Sequence, residues 1–227
     1  MGILDNVKEV ENNILANKIN DARLICVTKT VEKERIKEAL DYGVKDVGEN
    51  KVQELLDKYE FFKQYDDIKI HLIGSLQTNK VKYIIDKVDY IHSLDRISLA
   101  KEIDKRAKAL GKTINCLVQI NISMEESKHG LKEEEVFEFI KNVSEEYKNI
   151  KINGLMGMAP YVLEPEESRI YFKKLKSIFE DLKSKNLDNV DMKHLSMGMS
   201  NDYKIALQEG ASLVRVGSNI FGRRIYN

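Results

Sequence analysis

Residues 194–224 read HLSMGMSNDYKIALQEGASLVRVGSNIFGRR. An apolar strand ends near Ser196, a helical stretch opens at Ser200, and Leu213 to Gly217 returns as a second apolar strand. No tight turn separates the two strands, so a helix must carry the chain back and the strands run parallel. The same stretch offers a ligand site. Ser200 places a hydroxyl at the expected helix start, Arg215 is delivered by an apolar strand, and Gly217 and Ser218 are small enough for their backbone N–H groups to approach an anion. A helix N-terminus adds partial positive charge. A phosphate pocket beside a fixed cation is the expectation.

Outward from this unit the alternation repeats along the whole chain. Strand-like runs fall at 23–29, 46–48, 69–74, 90–93, 114–121, 152–156, 192–196 and 213–217. Helix-like segments fall at 31–41, 50–63, 77–87, 96–110, 132–147, 166–186 and 200–209, with another at 3–19 ahead of the first strand. Eight strands, each followed by a helix, predict an α/β fold of the closed (β/α)8 TIM-barrel type with an extra N-terminal helix, as one domain over residues 1–227. An open doubly wound sheet is the structural rival. In both folds ligands sit at the C-terminal ends of the strands.

Composition narrows the function classes. Lys plus Arg and Asp plus Glu each number 37, so the formal net charge is zero, which argues against nucleic acid or an anionic membrane as main partner. Cys26 and Cys116 lie in apolar strand-like runs and read as free buried thiols, which implies a reducing compartment. The N-terminal MGILDNVKEVENN lacks a signal-peptide core, and no apolar run approaches the ~20 residues of a membrane helix. A cytoplasmic protein is expected.

Lys29 closes the first strand-like run, on the face shared by Ile25 and Val27. A lysine there either snorkels to solvent or serves as an amine nucleophile made easier to deprotonate by desolvation. The chain holds 29 Lys but only eight Arg, so Arg215 inside an apolar strand stands out. It reads either as a salt bridge within the barrel, with Glu49 as partner, or as a cation held against a ligand. Asn50, after Gly48-Glu49, reads as an N-cap or as a ligand-facing residue. His71 and Ser75 flank Gly74, His92 and Ser93 end the fourth strand, and His194 reads as a core residue. No His-x-His or Cys-x-x-Cys pair suggests a metal site. Met197 and Met199 read as core filling, and Gly154, Gly157 and Gly198 as points where a flat ligand could approach the backbone. Neither a G-x-G-x-x-G fingerprint nor a Walker-type loop is present.

Together, ICVTKT, GENKVQE, HLIGSLQTNKVK, NISMEESKHG, GLMGMAP and the C-terminal stretch resemble, in order and over nearly the whole chain, the pyridoxal phosphate homeostasis family. The resemblance implies a barrel like that of alanine racemase and pyridoxal 5'-phosphate as cofactor. It implies that Lys29 is the Schiff-base lysine, that Asn50 lies near the cofactor, and that Arg215 faces the pyridine nitrogen. Ser200, Gly217 and Ser218 match the phosphate cradle. Ser218 stands where many relatives have threonine, Lys51 replaces an aromatic residue often found after GEN, and Ser75 stands where histidine is frequent.

A carrier or regulator of intracellular pyridoxal phosphate is the function expected, without dedicated catalysis. An arginine facing the ring nitrogen keeps its proton, so the ring withdraws electrons less well than a pyridinium. Nine residues follow Ser218, too few for the second domain that supplies an opposing acid/base group in racemases of related fold. Tyr161 is the in-chain candidate for that role. The alternatives are a pyridoxal-phosphate-dependent racemase or lyase that borrows an acid/base group across a homodimer, and a class I aldolase or sugar-phosphate isomerase in which Lys29 attacks substrate. A monomer is expected, with transient contact to pyridoxal-phosphate-dependent apoenzymes.

Overall fold

Apolar β-branched runs flanked by amphipathic helices produce the eight-fold alternation. The structure is a computed structural model that describes residues 2–125 and 128–222. The strands are β1 (Arg23–Val27), β2 (Asp46–Glu49), β3 (Lys69–Leu72), β4 (Tyr90–Leu94), β5 (Ile114–Ile120), β6 (Ile150–Gly157), β7 (Val190–Met199) and β8 (Leu213–Val216). The helices are α1 (Ile3–Asn17), α2 (Lys33–Tyr42), α3 (Val52–Phe62), α4 (Val81–Ile84), α5 (Ile97–Ala109), α6 (Glu133–Glu146), α7 (Arg169–Lys183), α8 (Tyr203–Gln208) and α9 (Ser218–Phe221).

The strands pair in sequence order, and β1 pairs with β8 to close the barrel. Every neighbouring pair is parallel, and the closing register sets Ile25 beside Arg215. Closure rules out the open sheet. The main core lies between strands and helices, with Ile36, Leu55, Leu72, Ile84, Leu99, Ile103 and Phe172 fully buried. Cys26 and Cys116 both belong to this layer and are buried. A second, separate apolar cluster of Ile25, Leu117, Met156 and Leu213 fills part of the barrel interior. Among the described residues no helix is long and apolar enough to cross a membrane.

Several element ends differ from the sequence expectation, and local hydrogen bonding explains them. β1 stops at Val27, so Lys29 sits in the following turn, where the Val31 N–H donates to Thr28 O at 3.1 Å and Thr30 takes a φ of 57°. The helix expected from residue 50 begins at Val52 with Lys51 at the N-cap position, so Asn50 is not its cap. The helix expected from Ser200 begins at Tyr203, because Asp202 accepts the Met199 N–H at 2.6 Å and turns the chain first. The segment expected as helix 77–87 is a 3-10 turn at Thr78–Lys80 followed by the short α4.

Candidate functional site

The chain leaves β1, β2, β6, β7 and β8 into loops at the C-terminal end of the barrel. A cavity of about 310 Å³ lies there, lined by Val27, Lys29, Asn50, Ile73, Met158, Met199, Ser200, Asn201, Arg215, Gly217 and Ser218. Its size lies at the lower end of the small-molecule range. All six residues expected from the sequence to hold a ligand, Lys29, Asn50, Ser200, Arg215, Gly217 and Ser218, therefore meet on one cavity, although they come from four separate loops, strand β8 and the start of α9.

The Lys29 turn is held from below. Thr28 Oγ1 donates to Glu49 Oε1 at 2.7 Å, and Lys58 Nζ donates to Thr28 O at 2.7 Å. On the other side of Lys29, the Thr30 N–H donates to Glu54 Oε2 at 2.6 Å. The two residues flanking the amine are thus tied to side chains of β2 and α3. This clamp also corrects the reading of Arg215 as a partner of Glu49. Glu49 pairs with Lys58 at 2.8 Å, and burial pushes its carboxyl above the ordinary range.

Arg215 is only 4% exposed, yet no carboxylate pairs with it among the described residues. Its Nη1 donates to Ser196 Oγ at 2.6 Å and its Nη2 to the Gly157 carbonyl at 3.1 Å. Burial pulls its pKa down to about 10, with Asp202 opposing, so it remains a cation at neutral pH. A buried guanidinium facing a cavity without a counter-anion fits a ligand that presents an acceptor to it. On the same cavity, the Gly217 N–H donates to Ser200 Oγ at 3.2 Å, and Asn219 Nδ2 donates to Ser200 O at 3.0 Å. These bonds join the loop after β7 to the loop after β8 and bring two hydroxyls and backbone N–H groups to one wall.

The glycines of the Met-rich runs serve packing rather than ligand approach. A Cβ on Gly154, at φ 143°, would lie 1.8 Å from the His194 carbonyl. Additions at Gly157 and Gly198 would meet Leu175 at 2.8 Å and Ala206 at 2.5 Å. Met197 is core, whereas Met199 is partly exposed and lines the cavity. His194 is half-buried, with its ring edge-on to Tyr90 at 5.6 Å, and not a full core residue. Tyr161 is 86% exposed and outside the cavity lining. Val27, Ile73, Met158 and Asn201 line the cavity without having been singled out from the sequence. Val27 was foreshadowed by its two-residue spacing from Ile25, and Asn201 by its position beside Ser200.

Residues 3–224 match the family described as alanine racemase, N-terminal domain. The pyridoxal phosphate homeostasis protein of Aquifex aeolicus is 46% identical over 207 residues, covering 91% of this chain and 89% of that protein. The protein of the same name from Escherichia coli is 34% identical over 237 residues, covering 99% and 98%. The structure of PipY from Synechococcus elongatus with pyridoxal phosphate bound superposes with a TM-score of 0.86 at 29% identity, covering 97% of this chain and all of that one. Alanine racemase of Clostridium difficile shares the fold at a TM-score of 0.72 and 18% identity, with 57% of its length covered. With relatives above 30% identity along almost its full length, this chain belongs to the pyridoxal phosphate homeostasis proteins, within the alanine racemase N-terminal domain family.

Proposed function

We propose that this protein binds pyridoxal 5'-phosphate reversibly and buffers or delivers it to apoenzymes that need it, with turnover absent or incidental. The observation that carries the reading is one cavity in which an amine, a buried unpaired guanidinium and a wall of small hydroxyl and amide donors converge. Bound there, the cofactor supplies an aldehyde, a ring nitrogen and a phosphate dianion. Lys29 would hold the aldehyde end of the cofactor through its side-chain amine. Arg215 would donate to the ring nitrogen and, keeping its own proton, would leave that nitrogen unprotonated. Ser200, Gly217 and Ser218 would hold the phosphate, and Asn50, on the same cavity, would contact the ring.

The racemase or lyase reading needs a second acid/base group across the ring from Lys29. Among the described lining residues there is no Tyr, His, Cys, Asp or Glu. The names of the relatives, homeostasis proteins, favour the carrier reading. The test is borohydride reduction of protein incubated with pyridoxal phosphate, followed by peptide mass spectrometry. The pyridoxyl adduct is expected on the Lys29 peptide, and an adduct confined to surface lysines overturns the site. Racemisation or decarboxylation of amino acids at enzyme-like rates, lost in Lys29→Ala, overturns the carrier role. A protein that stays colourless with the cofactor but cleaves sugar phosphates supports the aldolase reading instead.

A further inference from the structure

Beneath the cavity, the barrel interior holds a file of polar side chains that cofactor attachment at Lys29 does not use. Ser196 of β7 receives Arg215 Nη1 at 2.6 Å, and its Oγ lies 3.1 Å from His92 Nδ1 of β4. His92 Nε2 lies 2.9 Å from His71 Nδ1 of β3, and His71 Nε2 lies 2.8 Å from Asp46 Oδ1 of β2. Arg23 of β1 closes the file from the opposite end of the barrel, its Nη1 donating to Asp46 Oδ2 at 3.3 Å. His71, His92 and Ser196 are completely buried, and the His71 ring stacks on Tyr90 at 4.8 Å.

The file has one internally consistent direction. Arg215 can only donate, so Ser196 Oγ accepts from it, and with both imidazoles neutral its single hydrogen goes to its other partner, His92 Nδ1. A neutral His92 with a bare Nδ1 carries its proton on Nε2 and donates to His71 Nδ1. His71 then donates from Nε2 to the Asp46 carboxylate, which can only accept. Every hydrogen is used once, and each end of the file is a group that cannot reverse. Burial, with Arg215 and the neighbouring imidazoles adding to it, holds His92 well below its ordinary pKa, in keeping with the neutral ring.

We infer that Ser196, His92 and His71 are positioning residues that lock the Arg215 guanidinium in one orientation toward the cavity, braced across the barrel by Asp46. The inference concerns how Arg215 meets the ring nitrogen, so it rests on the proposed cofactor reading. The locking itself is a property of the protein without cofactor. Nη1 is committed to Ser196 and Nη2 to the Gly157 carbonyl, so the plane of the guanidinium is set before a ligand arrives.

Two measurements test it separately from cofactor binding. In full-length protein labelled with nitrogen-15 at histidine and free of cofactor, long-range proton–nitrogen correlation is expected to show His71 and His92 both protonated on Nε2 and bare on Nδ1 at neutral pH. An Nδ1–H tautomer or an imidazolium at His92 overturns the file. With pyridoxal phosphate added, His92→Leu is expected to bind about tenfold more weakly and to change the absorbance spectrum of the bound cofactor, with the reduced adduct still on Lys29. His92→Gln can accept from Ser196 and donate to His71, and is expected to recover affinity to within about twofold and to restore the spectrum. Equal behaviour of the Leu and Gln variants overturns the positioning role. Absence of any adduct in the unsubstituted protein sinks the cofactor reading while leaving the tautomer result to decide the file.

Discussion

Lys58 Nζ lies 2.8 Å from Glu49 Oε1, with the carboxylate fully buried and the lysine side chain 10% exposed, directly beneath the turn that presents Lys29. The pair does two jobs. It neutralises a carboxylate inside the fold, and through Thr28 and Glu54 it anchors both neighbours of Lys29. Thr30 holds a left-handed φ of 57°, a conformation that a threonine adopts only when its surroundings impose it. Fold stability and amine placement are therefore linked at this point.

Lys58→Met is expected to destabilise the protein by about 3 kcal/mol, because it leaves Glu49 buried without its cation. Urea unfolding followed by circular dichroism measures the loss. The double variant Lys58→Met with Glu49→Gln is expected to recover a substantial part of it, since the stranded charge is gone. A single-variant loss under about 1 kcal/mol would show that the pair carries little stability.

The fold was readable because its signal is periodic. Eight strand-like runs were placed, and all eight strands fall within a few residues of them, since apolar runs bounded by polar helices report burial on both faces of a parallel strand. That the six candidate residues line one cavity has a different reason: each sits near a strand end or just after it, where a barrel collects its loops. What stayed hidden depends on relations between distant strands. Asp46, His71, His92 and Ser196 come from four strands, and only the closed barrel's register shows that they touch. The Glu49–Lys58 pairing was likewise hidden, because α3 must fold back onto β2 before Lys58 points at the Lys29 turn. Helix starts were misjudged where backbone geometry, not side-chain type, decides them, as at Asn50 and Ser200.

Gly74 is expected to tolerate no side chain. A Cβ there would lie 2.2 Å from the Asn50 backbone carbonyl, and that backbone belongs to the segment presenting Asn50 to the cavity. Gly74→Ala must push the Asn50 segment away, so cofactor affinity is expected to fall more than about tenfold while the far-UV spectrum remains that of a barrel. Unchanged affinity in a folded Gly74→Ala protein would remove Asn50 from the site.

Ser200→Ala is expected to separate recognition of the phosphate from attachment of the aldehyde. The hydroxyl accepts the Gly217 N–H at 3.2 Å and lines the cavity, so its loss removes one donor to the phosphate and loosens the loop that supplies others. Affinity for pyridoxal 5'-phosphate is expected to fall about tenfold, while affinity for pyridoxal, which lacks the phosphate, stays within about twofold. Titration of the absorbance change with each compound measures both. An equal loss for the two compounds would move the phosphate elsewhere.

Acid is expected to weaken the fold through its histidines. Burial first, then the charge of Arg23, pulls His194 from the ordinary 6.5 to about 4, and burial holds His92 well below its ordinary value. The folded protein therefore binds fewer protons at these rings than the unfolded chain does, and stability must fall as pH drops from about 6.5 toward about 4. Glu49 and Asp202 act in the opposite sense, because burial pushes their carboxyls up and protonating them relieves a buried charge. The two effects overlap, because the raised carboxyls take up protons above their ordinary range while the unfolded rings charge from about 6.5 downward, so the histidine contribution has to be isolated by substitution. Urea midpoints measured down this series are expected to fall first near pH 6.5. His194→Gln keeps a polar side chain but removes the titration, so its midpoint is expected to decline less steeply over the same interval. Parallel pH profiles for the two proteins would show that His194 contributes nothing to the acid sensitivity.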